Sequence, residues 1–173
     1  GKSSLATMAA LRHSHRFAAV IYASAKHDPQ AFGVEKVVQA LDAVCQTDCL
    51  AHATAEKRGH AALGVLNSRR ILLVLDNLEE LPSAATRELA GFLGQLDPRN
   101  GSLALLTLRP RHKDPLTDLA GGYVLPVDRL DVLSAVRFLI NQIGAGLSEK
   151  IPPRPPSPSE KSHLAALAKH LGI

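Results

Sequence analysis

The first residues of the sequence are of the types that bind phosphate groups. Gly1, Lys2 and Ser3 stand directly before a run of helix-forming residues. A helix N-terminus attracts anions, a lysine adds a positive charge, and a serine hydroxyl can complete the coordination shell of a metal ion. Gly-Lys-Ser also ends the phosphate-loop pattern G-x-x-x-x-G-K-[ST], whose first half would stand ahead of Gly1. These residues predict the second half of a nucleotide cradle.

A carboxylate follows an apolar run in the middle of the chain. The run ILLVL, residues 71–75, precedes Asp76 and Asn77, with Glu79 and Glu80 close behind. A carboxylate at the end of a strand can hold Mg²⁺ directly or through water. Asp and Asn are also common turn formers, so a solvated strand end explains these residues equally well when they are taken alone.

A second apolar run ends in a hydroxyl and a guanidinium. The run SLALLTL, residues 102–108, contains Thr107 and precedes Arg109 and Arg111. Arginine offers a planar fork of donors that matches a terminal phosphate. A surface arginine before a proline is the simpler interpretation of this stretch alone. The three stretches together, however, stand in the order expected of a nucleotide site.

The elements that must position these groups alternate between helix and strand patterns. Helices are predicted at 3–12, 34–45, 51–67 and 83–95, and strands at 17–24, 71–75, 102–108 and 123–127. In the first helix Leu5, Met8 and Leu11 recur at helical spacing, and Ser83 is the predicted N-cap of the fourth. This alternation predicts right-handed βαβ units around a parallel sheet, whose ligands bind outside the carboxyl ends of the strands.

The pattern changes after residue 128. Residues 130–143 and 160–171 have helical patterns, and they flank the proline-rich stretch IPPRPPSPS at 151–159. Such a stretch is stiff, which suits a spacer between two helices. A ligand for a proline-recognition domain is the less common alternative.

The composition is typical of a globular domain. The chain has 173 residues, of which 46% are hydrophobic and 21% charged, enough for one domain with a core and the start of a second. No apolar run reaches the roughly 18 residues of a membrane span. The net charge of +4 is spread out and aromatic residues make up 3%, so nothing here indicates nucleic-acid binding. Cys45 and Cys49 lack further ligands at metal-binding spacing and are interpreted as thiols in a reducing cytoplasm.

The motifs resemble those of the NB-ARC branch, in its bacterial form, of the signal-transduction ATPases with numerous domains, the STAND class of P-loop NTPases. GKSSLA resembles the end of the Walker A loop, RFAAVIYAS the strand after the first helix, and ILLVLDNLEEL the Walker B motif. LALLTLRPR is similar to the sensor strand, where Leu108 departs from the usual Thr-Thr-Arg or Thr-Ser-Arg. VLPVDRLDVLSAVRFL resembles the start of the small helical domain, and HLAALAKHLGI the helix that leads into the Gly-x-Pro motif.

The resemblance implies a three-layer αβα P-loop NTPase over residues 1–128 that lacks its first strand and the front of the phosphate loop. Residues 129–173 would begin a small helical, ARC-like domain that contains the proline-rich loop 151–159. The family's first strand lies inside the sheet, so its loss should leave a gap between its neighbours. The proline that contacts the nucleotide near the adenine would follow Ile173. Because the loop amides cradle the phosphates, we expect residues 1–173 alone to bind ATP or ADP poorly and to be inactive.

The resemblance also implies roles for the residues of the first turn. Gly1 would belong to the loop around the phosphates. Lys2 would bind the β- and γ-phosphates, Ser3 would bind Mg²⁺, and Ser4 would support the α- and β-phosphates.

The roles of the strand-end residues follow from the same resemblance. Asp76 would hold Mg²⁺ through water, and Arg109 with Thr107 would sense the γ-phosphate. Glu79 or Glu80 would orient the attacking water, and the sequence does not choose between them.

The implied function is a nucleotide switch in a larger cytoplasmic signalling or transcriptional regulator. ADP would hold a closed form, and exchange for ATP would open it for self-association through the NTPase domain. Hydrolysis would be slow because Asn77 stands where a second acidic residue is common. Nucleic acid would be contacted only through other domains, and no membrane is involved.

Two alternatives stay open. The first is an AAA+ ATPase that acts on DNA, which a basic lid beyond the present sequence would distinguish. The second is a non-hydrolysing interaction module whose nucleotide site has decayed. Lys2, Ser3 and Asp76 argue against decay, and Asn77 argues weakly for it.

Overall fold

Three parallel strands form the centre of the computed structural model, which describes residues 1–109 and 114–127. The strands are β1 (Ala19–Ser24), β2 (Ile71–Asp76) and β3 (Leu103–Leu106), and they lie in the order β1-β2-β3. Both pairings are parallel. The helices are α1 (Lys2–His13), α2 (Val34–Cys45), α3 (Ala55–Ser68) and α4 (Ser83–Leu93). The predicted α/β class with a parallel sheet is therefore confirmed, and this architecture is compatible with Rossmann-like and P-loop folds.

The chain divides into two compact units, Gly1–Leu125 and Pro126–Ile173. Four of the sequence predictions concern residues that lie outside the described ranges: Arg111, the helices at 130–143 and 160–171, and the proline-rich stretch at 151–159. In the described ranges, no helix is both long enough and apolar enough to cross a membrane.

Strand β2 is buried on both faces, as its continuous apolar run predicts. Side chains alternate along a strand, so successive residues contact different layers. Leu72 and Val74 pack against Ala6 and Ala10 of α1. The intervening β2 side chains, Ile71, Leu73 and Leu75, belong to a larger core. That core also contains residues of the other three helices, among them Leu41 of α2, Leu66 of α3 and Leu89 of α4. The sheet is thus flanked by helices, with α1 on the face to which Leu72, Val74 and Asp76 belong.

Helix α1 is in its predicted place but presents an unexpected face to the sheet. Its large apolar residues are exposed, with relative exposures of 49% for Leu5, 63% for Met8 and 66% for Leu11. The buried residues are Ala6 and Ala10. The small alanine side chains allow the backbone of α1 to approach β2 closely. The spacing of Leu5, Met8 and Leu11 indicates a helix, but it does not show which face of that helix the sheet covers.

Helix α2 has the predicted bounds, but the helix predicted at 51–67 starts later. Gln46 ends α2 in the left-handed conformation, with φ 52°. The Asp42 carboxylate then accepts hydrogen bonds from the Thr47 hydroxyl and from the backbone N–H groups of Cys49, at 3.1 Å, and Leu50, at 2.8 Å. These bonds hold a separate short turn at Cys49–Ala51, so α3 begins only at Ala55.

The N-cap predicted for the fourth helix is wrong by one position. Pro82 is the N-cap of α4, and Ser83 is the first helical residue, with no side-chain cap. Thr86 fixes this start, because its backbone N–H and its hydroxyl both donate to the Pro82 carbonyl oxygen, at 2.9 and 3.0 Å. The helix ends at Leu93, two residues before its predicted end.

The strand predicted at 123–127 is also wrong. The segment is exposed, with Tyr123 at 88% and Leu125 at 63% relative exposure. A strand requires a neighbouring ladder, and within residues 1–109 and 114–127 the sheet ends at β3 on one side and β1 on the other. Apolar, β-branched residues favour a strand but do not supply its partner.

Candidate functional site

Polar side chains meet at the carboxyl end of the parallel sheet. The register pairs Ser24 of β1 with Asp76 of β2. Thr107 follows β3, and its backbone N–H donates to Leu75 O at 2.9 Å, which places Thr107 beside Asp76 on the other side. The convergence of Asp76 and Thr107 is the arrangement that a parallel sheet predicts for residues following adjacent strands.

The Asp76 carboxylate is the centre of this group. It is buried, with 4% relative exposure, and accepts hydrogen bonds from the hydroxyl groups of three residues. Thr107 Oγ1 lies 2.5 Å from Oδ1, whereas the Tyr22 hydroxyl and Ser24 Oγ lie 3.0 and 3.4 Å from Oδ2. The Ser3 hydroxyl also lies close enough to affect the pKa of this carboxyl group.

These hydrogen bonds keep the Asp76 carboxyl group ionised. Burial by itself raises the pKa of Asp76, but the nearby hydroxyl groups of Thr107, Ser3, Tyr22 and Ser24 outweigh burial and lower the pKa below its ordinary value. The same arrangement raises the pKa of Tyr22, first through partial burial and then through the hydrogen bond to Asp76 and its charge. The site therefore holds a negative charge among neutral hydroxyl groups.

Helix α1 brings the first residues of the chain to this carboxylate. The helix packs on β2 through Ala6 and Ala10, and the Ser3 side chain in its first turn lies close enough to Asp76 to help lower its pKa. The first intrahelical hydrogen bond runs from Leu5 N–H to Gly1 O, at 3.0 Å. The preceding amide groups have no intrahelical acceptor, so they are the donors that bind anions at helix N-termini.

The remaining residues predicted for the first turn lie around this helix end. Lys2 is half-buried, whereas Gly1 and Ser4 are exposed. All three stand at the start of α1 with Ser3, where Lys2 supplies a positive charge at the helix N-terminus.

Asn77 has a clear structural role. It takes the left-handed conformation, with φ 64°, which Asn tolerates better than most residues. Its backbone N–H donates to Thr107 Oγ1 at 3.1 Å, and the next amide, that of Leu78, donates to Thr107 O at 3.0 Å. Thr107 thus fixes both the carboxylate and the loop that follows it.

Arg109 and Glu79 form an ion pair near the same strand ends. Arg109 Nε lies 3.4 Å from Glu79 Oε1. The glutamate side chain is mostly buried, with 15% relative exposure, while the arginine side chain is 80% exposed. Glu80 is exposed on the same short turn, Leu78–Glu80. Glu79 therefore differs from Glu80 in being mostly buried and paired with Arg109, a difference that the sequence alone does not reveal.

The donor set suits one kind of cation. In the described part of the chain, no cluster of three or more His, Cys, Asp or Glu side chains could enclose a metal ion. Asp76 and Ser3 supply one carboxylate and one hydroxyl. This small set fits Mg²⁺, which keeps several waters and is commonly held by one or two carboxylates together with phosphate oxygens.

The two cysteines lie at the end of α2 and in the short turn that follows it. Cys45 ends α2 and is partly exposed, Cys49 is buried in the turn that follows, and both are free thiols. Burial raises the pKa of each thiol. Protonated, partly or fully buried thiols are poor ligands and nucleophiles.

Sequence analysis missed Tyr22 and Ser24. Both belong to β1, and alternation places them on one face with Val20, which packs beside α1. Their spacing of two was visible in the sequence. Which residue of β1 lies opposite Asp76 depends on the strand register, which a single sequence does not give.

Comparison of the chain with protein-family models, with curated proteins and with solved structures finds no match.

Proposed function

We propose that the chain is the nucleotide-binding part of a P-loop ATPase of the STAND class, NB-ARC-like, which binds ATP or ADP with Mg²⁺ and acts as a switch. The observation that carries this proposal is the packing of α1 over β2 through Ala6 and Ala10, which brings the Ser3 hydroxyl close to the Asp76 carboxylate. It joins a Gly-Lys-Ser helix N-terminus to a carboxylate at the end of a buried parallel strand. Neither half is specific alone, but their proximity is the relationship that a Mg²⁺–nucleotide site requires.

Each residue of the first turn has a defined task in this proposal. The Lys2 ammonium and the free amide groups of the α1 N-terminus bind phosphate oxygens. Ser3 and Asp76 hold Mg²⁺, which when bound offsets the charge on the phosphates. Thr107 keeps the Asp76 carboxylate oriented and ionised through its 2.5 Å hydrogen bond.

Arg109 and Glu79 supply the response to the terminal phosphate. The Arg109 side chain is largely exposed and can exchange its glutamate partner for a γ-phosphate oxygen. Glu79 then orients a water molecule for a slow hydrolysis step. A contact made with ATP and absent with ADP is the kind of difference that biases a two-state switch. In the proposed regulator, this switch controls self-association in the cytoplasm, and any nucleic acid is bound by other domains.

The geometry at Asn77 bears on the alternative of a decayed site. Asn77 stands in a left-handed conformation that Asp and Asn favour, and its amide is tied to Thr107. Its identity thus has a backbone explanation, and it does not indicate lost activity.

The test is thermal unfolding of the protein in its natural reading frame, with and without Mg²⁺–ADP and Mg²⁺–ATP. A ligand that binds only the folded state at about 100 times its Kd adds about 2.7 kcal/mol, which raises Tm by several degrees. We expect Asp76→Asn to lose the part of this shift that depends on Mg²⁺. Asp118→Asn, at an exposed position, is the matched control and should behave like the unchanged protein. If neither nucleotide raises Tm in the unchanged protein, the proposed function is wrong.

A further inference from the structure

Tyr22 occupies an unusual place beside the proposed cation site. It lies on β1, two residues before Ser24, on the face that α1 covers. Half of its surface is exposed, with a relative exposure of 50%. Its hydroxyl nevertheless donates to the buried Oδ2 of Asp76, at 3.0 Å. The ring of Tyr22 is thus half exposed at the surface, whereas its hydroxyl, the one polar group of the side chain, binds the buried Asp76 carboxylate.

The carboxylate needs donors on both sides to hold one orientation. The last torsion of an aspartate side chain is broad, so packing alone does not fix it. Thr107 binds Oδ1 from the strand on one side, and Tyr22 binds Oδ2 from the strand on the other. Ser24 also reaches Oδ2, but at the longer distance of 3.4 Å. Tyr22 therefore makes the shorter of the two β1 contacts that oppose Thr107.

We propose that Tyr22 is a positioning residue for the cation site, acting through Asp76. This inference rests on the proposed function, because it assumes that Asp76 helps to hold Mg²⁺. The Tyr22 hydroxyl keeps Oδ2 turned toward β1, so that the carboxylate meets the Ser3 hydroxyl and the cation in one fixed orientation. A cation that draws on the Asp76 charge also weakens the Tyr22 hydrogen bond, and this coupling acts equally in both directions.

The first test is the Mg²⁺ requirement of ADP binding, measured by calorimetry at increasing Mg²⁺ on the protein in its natural reading frame. Tyr22→Phe keeps the ring and removes the hydroxyl. We expect it to raise the Mg²⁺ concentration for half-maximal ADP binding about tenfold, since a hydrogen bond to a charged acceptor is lost. A purely structural role predicts instead a lower Tm with an unchanged Mg²⁺ requirement. Tyr123→Phe is the matched control, because Tyr123 is the other tyrosine of the chain and is 88% exposed.

The second test needs no variant in the measured sample and so holds even if Tyr22→Phe fails to fold. The protein is labelled with ¹³C at the tyrosine Cζ atom, whose NMR shift responds to the hydrogen bond of the hydroxyl. With the label confined to residues 1–173, which contain two tyrosines, the Tyr123→Phe spectrum identifies the Tyr123 signal, and the other signal is that of Tyr22. We expect Mg²⁺–ADP to move the Tyr22 signal and to leave the Tyr123 signal in place.

The outcomes separate the two proposals. If the unchanged protein binds ADP without any Mg²⁺ dependence, the proposed function is wrong, and this inference with it. If Mg²⁺-dependent binding is present but Tyr22→Phe matches Tyr123→Phe, or the Tyr22 signal does not move, the positioning role is overturned and the proposed function stands.

Discussion

The Ser3 hydroxyl, in the first turn of α1, lies close enough to the Asp76 carboxylate at the end of β2 to help lower the pKa of that carboxyl group. This proximity joins two parts of the chain that are far apart in sequence. It depends on α1 packing over β2 through Ala6 and Ala10, and on the parallel register that carries Asp76 to the sheet edge. The fold therefore brings a helix N-terminus and an ionised carboxylate close together.

Arg109 should decide the preference for ATP over ADP. We expect Arg109→Ala to weaken ATP binding about tenfold and to leave ADP binding unchanged, because only ATP carries the phosphate that replaces Glu79 at the guanidinium. Arg87→Ala, at an exposed position of α4, is the matched control. The measurement is calorimetric titration of both nucleotides in Mg²⁺, and equal losses for ATP and ADP would contradict the sensing role.

Glu79 and Glu80 should differ in hydrolysis. Glu79 pairs with Arg109 and is mostly buried, whereas Glu80 is exposed. We expect Glu79→Gln to slow ATP hydrolysis at least about tenfold with little change in ATP affinity, since removing a water-orienting group affects the chemical step. Phosphate release in single turnovers measures this step. A larger loss for Glu80→Gln would reverse the assignment.

Ser102 should be important for stability and not for binding. Its buried Oγ accepts from Ile71 N–H at 2.9 Å and lies 2.6 Å from both Leu66 O and Arg69 O. Ser102→Ala leaves buried backbone groups without this partner, and we expect a loss of about 1–3 kcal/mol in the free energy of unfolding. Chemical denaturation provides the measurement.

Ser68→Ala is the control for this substitution. The Ser68 hydroxyl also bonds to a backbone carbonyl, that of Val65 at 3.1 Å, but at an exposed position. We expect it to change stability by less than about 0.5 kcal/mol. Equal losses for the two variants would show that the buried contacts of Ser102 contribute little.

Asp42 should make stability depend on acid pH. Burial raises the pKa of Asp42, but the hydrogen bonds from Thr47 and from the amides of Leu50 and Cys49 outweigh it and lower the pKa. A depressed folded-state pKa gives stability that is present above the unfolded value, about 3.9, and is lost as the pH falls through the folded value. Asp42→Asn should therefore lower stability at pH 7 by about 1–2 kcal/mol and flatten its decline below about pH 4.

The pH dependence is measured by denaturation between pH 7 and pH 3. Asp48→Asn provides a matched comparison, because Asp48 is exposed beside the same turn. It should leave both the stability at pH 7 and the acid decline close to those of the unchanged protein. An Asp42→Asn variant whose decline is as steep as before would contradict the assigned role.

The sequence was most informative where one physical requirement dominates. Residues 71–75 are continuously apolar because β2 is buried on both faces, so the strand and its terminal Asp76 could be predicted. Helix α2 has a clear apolar stripe and matched its predicted bounds. The meeting of Asp76 with Thr107 followed from parallel strands alone.

The missing parts depend on partners that the local sequence does not specify. Residues 123–127 have strand-forming side chains but no neighbouring ladder in the described ranges. Ala6 and Ala10, not Leu5 and Met8, cover β2, because close approach outweighs side-chain size there. Tyr22 reaches Asp76 only through the β1–β2 register, and this register is set by packing of the whole sheet.

The most direct test of the central claim is a double-mutant cycle on Ser3 and Asp76. The measured quantity is the Mg²⁺ concentration for half-maximal ADP binding in the unchanged protein, Ser3→Ala, Asp76→Asn and the double variant. If the two side chains hold one cation together, each single change should raise this concentration about tenfold or more. The double variant should then need little more Mg²⁺ than the single variant with the higher requirement. Single variants that bind Mg²⁺–ADP as the unchanged protein does, or losses that simply add, would contradict a shared site.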